Sequence, residues 1–357
     1  RRATKAVFSD AGGAGRVPSV WAGAGPKARL ACLIAYAGVF EDAIRISALE
    51  ERMPDVGPGR IEAALRELAS AGRIVVSAGW AALPGLEPKI ARKEADLRRA
   101  RDMILSKEPL LKLLGRLPIV KFVGISGSLA AGNPVEDADG RVDVDVFVIT
   151  RSQCLWLFFI PLALWLNLPG REPGDGLCVN LVMDGSDVSV YNRNFFIASE
   201  IRNLVPVAGD GAHREFLRRN AWVNGYFDGL AGEPDGPRRP GAWEVVNKTL
   251  YVVYHMLRGL KNLSAGPLGD ISFRANGLGA KNFNRVGASY GGYQAVVYRS
   301  FLGIRDRWFP DLIDDGLVER LFPDDLSAAI RAGGPAFDEI LAKTGLQRAN
   351  YGKYLRA

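Results

Sequence analysis

Histidine is almost absent from this chain: His213 and His255 are the only two in 357 residues. Two imidazoles so far apart form no metal motif, and no Ser/His/Asp arrangement has a context to support it. His255, inside an apolar helical stretch, reads as a core residue. Cysteine is scarce too. Cys32, Cys154 and Cys178 each sit in an apolar run, and no C-x-x-C occurs. An odd count without that spacing indicates neither a disulfide framework nor a thiolate metal centre. Three reduced, buried thiols are expected, and a cytoplasmic compartment with them. Internal repeats and low-complexity blocks are also missing. The opening RRATKAVFSDAGGAG has no long apolar core, so no signal peptide is expected.

Long apolar runs are nearly missing as well. The exception is the uncharged stretch Ser152–Gly170, which reaches the roughly 18-residue threshold for a spanning helix. It contains Gln153, Pro161 and Asn167, and it lies between two apparent strands. A buried core or interfacial helix is the plainer reading; membrane association through residues 154–169 is the alternative. The net charge of +7 fits nucleic acid, nucleotides or an acidic membrane surface without choosing among them.

Residues 1–25, rich in Gly and Ala, are expected to be a flexible N-terminus. Three helical patterns follow: PKARLACLIAYAG, EDAIRISALEERM and GPGRIEAALRELASAG. RIVVSAGWAALPG then reads as two short strands around Gly79. Residues 26–85 therefore read as a winged-helix-like domain. Its third helix offers Arg60, Glu62, Arg66 and Glu67, with no Asn or Gln. Base reading needs more than that, so a docking or regulatory module is favoured over DNA binding. Residues 86–117 form a charged connecting helix. Six positive side chains fall between Lys89 and Met103, either a solvated face or one that tracks phosphates. Residues 118–208 hold strands IVKFVGIS, VDVDVFVIT and GLCVNLVM, a further short strand in GSDVSVY, and the helix NFFIASEIRNLV ended by Pro206. Residues 209–357 read as a helical C-terminal domain.

The second of those strands poses the chemical question. Asp143 and Asp145 lie about 7 Å apart on one face of a strand whose other face is Val142, Val144, Val146 and Val148. Two like charges so placed repel and prefer water. A divalent cation with hard-oxygen preference, Mg²⁺ or Mn²⁺, answers the repulsion. Gly127 and Ser128 follow the preceding strand at a helix start, where backbone N–H groups hold phosphate oxygens.

Residues 124–148 resemble the signature of the DNA polymerase beta-type nucleotidyltransferase superfamily. Its hydrophobic-Gly-Ser element is matched by Ile125–Ser128, and its Asp-hydrophobic-Asp element by Asp143–Val146. The small-protein branch carries G-S-x-A-x-G, matched by Gly127, Ser128, Ala130 and Gly132. The likeness covers roughly residues 118–205. It extends to bacterial proteins of unassigned role with a winged helix ahead of such a domain. In those an Asn-bearing strand and an A-x-E helix follow, similar to Cys178–Val182 and Ala198–Glu200.

The resemblance implies an α/β (α+β) fold: a nucleotidyltransferase mixed-sheet core between the winged helix and the C-terminal helical region. It implies an enzyme moving a nucleoside monophosphate from an NTP to an acceptor hydroxyl or phosphate on a protein, an RNA or a small molecule. Asp143 and Asp145 would hold the metal, Gly127 and Ser128 the phosphates. Two departures stand out. The spacer from Ser128 to Asp143 is fourteen residues and carries Glu136, Asp137 and Asp139, expected on an exposed loop. The third carboxylate usual on the next strand is replaced by Asn180, an amide that can ligate a metal but cannot take a proton. Asp184 and Asp187 are the nearby substitutes. Lys281 and Arg285, in the Gly-rich GLGAKNFNR, and Arg193 are additional candidate phosphate contacts. The alternative function is an inactive or weak nucleotide sensor whose winged helix binds DNA or a partner protein.

Overall fold

The computed structural model describes residues 19–136, 140, 142–166, 177–190, 192–229, 245–254, 278–282, 285–288 and 290–323. Proline opens three of the helices: α1 (Pro26–Val39) and α3 (Pro58–Ser70) at their first residue, α4 (Glu87–Gly115) at its second. A helix start needs no N–H there, and the ring presets φ. Between them lie β1 (Ile44–Arg45) and α2 (Ile46–Arg52); after α3 come β2 (Val75–Ser77) and β3 (Trp80–Ala82). Ala78 and Gly79 turn the hairpin, both at positive φ (49° and 80°), as a two-residue turn requires. The three strands form an antiparallel sheet in the order β1-β3-β2. Ile61, Ala64, Leu65 and Leu68 bury the face of α3 that their spacing marks out. The segment ahead of α1 is not loose from residue 19 onward. Trp21 is buried, and its Nε1 donates to the Tyr226 carbonyl at 3.0 Å.

A mixed sheet follows, built on β4 (Val120–Ser126), β5 (Val144–Thr150), β6 (Leu177–Met183) and β7 (Val205–Ala208). With β8 (Leu278–Asn282) and β9 (Arg285–Ala288) its order is β7-β4-β5-β6-β9-β8. Only β5 and β6 are parallel. A parallel pair needs a crossover, and the apolar helix α6 (Leu155–Leu166) supplies it. This is where the long uncharged run goes: Leu155, Trp156, Phe158 and Phe159 are buried in the core. Among the described residues no helix is long and apolar enough to cross a membrane.

Three local readings need correcting. GSDVSVY forms no strand. The amphipathic helix α7 (Phe195–Asn203) stops before Pro206, and Val205–Ala208 become β7 instead. Pro206 fits there because β7 is the sheet edge, where a missing N–H costs no ladder bond. Leu278–Asn282 and Arg285–Ala288 pair antiparallel on the opposite edge, so the C-terminal region is not all helix. Around it, α8 (Asp210–Arg219), residues 245–254, Tyr290–Trp308 and Asp315–Leu321 are helical.

The sheet separates two apolar clusters. Val142, Val144, Val146 and Val148 face α4, α6 and the 245–254 helix. Phe122, Phe147, Ile149 and Met183 face α7, α8 and the N-terminal helices. α4 touches both units. Its Lys93 is buried, with Nζ 2.7 Å from both carboxylate oxygens of Asp42 and 3.0 Å from the Gly132 carbonyl. Asn133 Nδ2 donates to the Phe40 carbonyl at 3.1 Å. The N-terminal unit is thus fastened beside the turn that follows β4.

Candidate active site

β4 ends on Ser126 in extended conformation, and Gly127 turns the chain at φ +72° into the single-turn helix α5 (Gly127–Ala130). The register places Ser126 opposite Asp145 and, across the parallel pair, Asp145 beside Cys178. Alternation sends Val144 and Val146 into one core and Asp145 to the other face, as the sequence pattern requires. The Asp145 carboxylate lies against Gly127. A Cβ on Gly127 would meet Asp145 Oδ2 at 2.2 Å. Glycine is therefore needed twice over, for its backbone angle and for its missing side chain. Gly127→Ala is expected to cost about 2–3 kcal/mol and to push Asp145 out of place. Urea unfolding measures that loss, and a variant as stable as the parent would show that the turn tolerates a side chain.

A further carboxylate meets the turn. Glu200, near the C-terminal end of α7, accepts the Gly127 N–H. Burial and the charge of Asp145 push its pKa up to about 7, with the Gly127 bond opposing. Asp145 is pushed up to about 7 by burial first and the Asp143 charge second; the Cys178 thiol, donating to it, pulls the other way. The same surroundings raise Cys178 to about 12, chiefly through burial and then the charge of Asp145. Asp143 is exposed just ahead of β5. Negative groups thus gather at one end of the sheet and hold each other's protons on.

Of the residues singled out in sequence, Gly127, Ser128, Asp143 and Asp145 come together at this end of the sheet. Ser128 is half-buried in α5, its carbonyl accepting the Asn133 N–H at 2.9 Å. Asn180 sits one strand away, at the bulge where the β5–β6 register slips between Val146–Val179 and Phe147–Leu181. The substitutes for a third carboxylate do not reach. Asp184 closes the far end of β6, six residues or about 20 Å beyond Cys178. Its buried carboxylate accepts the N–H groups of Gln153, Cys154, Leu155 and Ser186 and the Ser186 hydroxyl, at 2.6–3.2 Å. Asp187 belongs to the same distant turn and accepts the Ser189 N–H at 3.1 Å.

The basic candidates are elsewhere. Lys281 and Arg285 lie on β8 and β9, and Lys281 is three strands from β5, about 14 Å by strand spacing. Arg193 is exposed ahead of the N-terminus of α7, at the opposite end of that helix from Glu200. Glu136 pairs with Arg99 at 2.6 Å, while Asp137 and Asp139 lie outside the described residues. So does His255; His213 stacks on Phe122 with centroids 5.3 Å apart, and burial lowers its pKa. Glu200 was legible only as part of a resemblance. Seventy-odd residues of chain separate it from Gly127, and nothing local marks it as a partner of the turn.

Among the described residues no group of three or more His, Cys, Asp or Glu could hold a metal ion by itself. Magnesium bound with a nucleotide does not need such a cage: one or two carboxylates suffice, with phosphate oxygens and waters completing the shell. Asp143 and Asp145 fit that donor set, and their mutual repulsion favours it. No protein-family model matches the chain, and neither does any curated protein or solved structure.

Proposed function

We propose that this chain is a Mg²⁺-dependent nucleotidyltransferase of the DNA polymerase beta type, with a winged-helix module ahead of its core. One observation carries the reading: the Asp145 carboxylate lies on the Gly127 turn, and Glu200 accepts the N–H of the same turn. Asp143 and Asp145 would hold the ion. When bound, it neutralises the triphosphate and makes pyrophosphate a better leaving group. Ser128 and the backbone of the turn orient the phosphates. An acceptor hydroxyl attacks the α-phosphorus, the bond to the bridging oxygen of pyrophosphate breaks, and Glu200 takes the hydroxyl proton.

The winged helix reads as a docking module. On α3, Arg66 lies 3.8 Å from Glu62, and Lys27 pairs with Glu67, so the acidic side chains offset the charge that DNA would need. The test uses NTPs labelled at the α- or the γ-phosphate, incubated with the chain, Mg²⁺ and a cell lysate. Label from the α position alone is expected on an acceptor, and none with Asp143→Asn/Asp145→Asn. Equal labelling by that variant would remove the assigned role.

A further inference from the structure

Exposed large apolar side chains are not scattered over this molecule. Nine are exposed among the described residues: Leu105, Leu110 and Leu113 lie on α4, Leu117 two residues past its end, and Val245, Val246, Val252 and Val253 on the 245–254 helix. Both helices pack their inner sides into the same cluster, through Ala100, Leu111, Leu250 and Tyr254. They cover one face of the sheet and show apolar side chains outward as well. Leu113 is 59% exposed and Val245 75%. Clustered exposure of this kind marks an interaction surface.

Charge narrows the partner. At 100° per residue Leu105, Leu110 and Leu113 fall within about 140° of the circumference of α4. Arg98, Arg101, Lys112 and Arg116, all exposed, gather within about 60° along one margin of that stripe. Among the described residues, Arg98, Arg101 and Arg116 have no acidic partner. Lys112 reaches Glu108 at 2.7 Å, and Asp102 is the acid on the outward face. The basic run that the proposed chemistry leaves unused thus continues into the leucines of α4, about 22 Å from Arg98 to Leu113.

A second copy meeting this face about a twofold axis would oppose its net positive charge to itself. Nucleic acid would meet the arginines but offers no apolar phase to the leucines. We infer that this face docks on an anionic lipid surface, with the leucines and valines entering the interface and the basic margin meeting headgroup phosphates. Asp145 is on the opposite face of the sheet from the covering helices, so docking this way leaves the Gly127 turn open to solvent.

The test is co-sedimentation of the full chain with vesicles of phosphatidylcholine alone or mixed with phosphatidylglycerol. Binding is expected to the mixed vesicles and to weaken as salt rises. Arg98→Gln/Arg101→Gln/Arg116→Gln should weaken it by roughly fivefold for each charge removed. Leu110→Ser/Leu113→Ser/Leu117→Ser should abolish it at an unchanged melting temperature. The inference is overturned by equal or absent binding to the two vesicle types. It is also overturned if the leucine variant keeps its binding, if the face binds duplex DNA or RNA in its place, or if the leucine changes instead dissolve a dimer.

Discussion

Asp145→Asn should leave the metal-free protein more stable than the parent at pH 8 while lowering nucleotidyl transfer roughly a thousandfold or more. The direction follows from the protonation balance. Asp145 has its pKa pushed up to about 7 in the fold, so the folded state favours the protonated acid. The associated stability is full below the ordinary carboxylate range and is lost as pH rises through about 7. An amide never pays that penalty. A carboxyl raised to about 7 corresponds to about 4 kcal/mol at most, and screening at this partly exposed site reduces it to on the order of 2 kcal/mol, or a few degrees of melting temperature. Melting curves at pH 4 and pH 8 check it: the variant should gain only at the higher pH, and Mg²⁺ with NTP should stabilise the parent alone. A variant less stable at both pH values would mean that Asp145 serves the fold.

Asp184→Ala should have the opposite effect, a loss on the order of 3–5 kcal/mol with the Gly127 turn untouched. Four backbone N–H groups and one hydroxyl converge on this buried carboxylate. Removing it orphans donors at the start of α6 and in the turn after β6 together. Gln153, held at φ +63°, loses the bond that fixes its strained backbone. Asp184→Asn keeps one acceptor oxygen and should fall between. Denaturant unfolding gives the number; a loss under about 1 kcal/mol would show that water replaces the carboxylate. A folded but inactive Asp184→Ala would restore this residue to the reaction.

The two aspartates show where a sequence is legible. Valines alternating with acids over residues 142–146 have a period of two, and a strand realises it without help from distant chain. The N-terminal unit was legible in part: its helix spacing and the hairpin at Gly79 are local, but β1 (Ile44–Arg45), which the sequence placed in the second helix, is set by its pairing with β3. Asp184 was not. It looks like a free carboxylate after a strand, and its five donors come from the start of α6 and from the next turn. Pro206 was misjudged because proline ends helices and also tolerates edge strands; whether β7 is an edge depends on the whole sheet order. Lys281 and Arg193 carried the right charge for phosphate, but position across a sheet or along a helix is set by topology rather than by residue type.

The bond from Lys93 to Asp42 and the Gly132 carbonyl bears on how such a chain can be divided. By sequence, residues 86–117 look like a connector between separable modules. By contact they belong to both. A fragment lacking residues 26–85 would lose Asp42, the Phe40 carbonyl and the Trp80 ring together, and would strip the cover from Lys93. It would also free residues 132–133, just past the Gly127 turn. Shuffling this core onto another N-terminal module would therefore require the newcomer to bring an acid to the same spot. The two units are parts that must be inherited together.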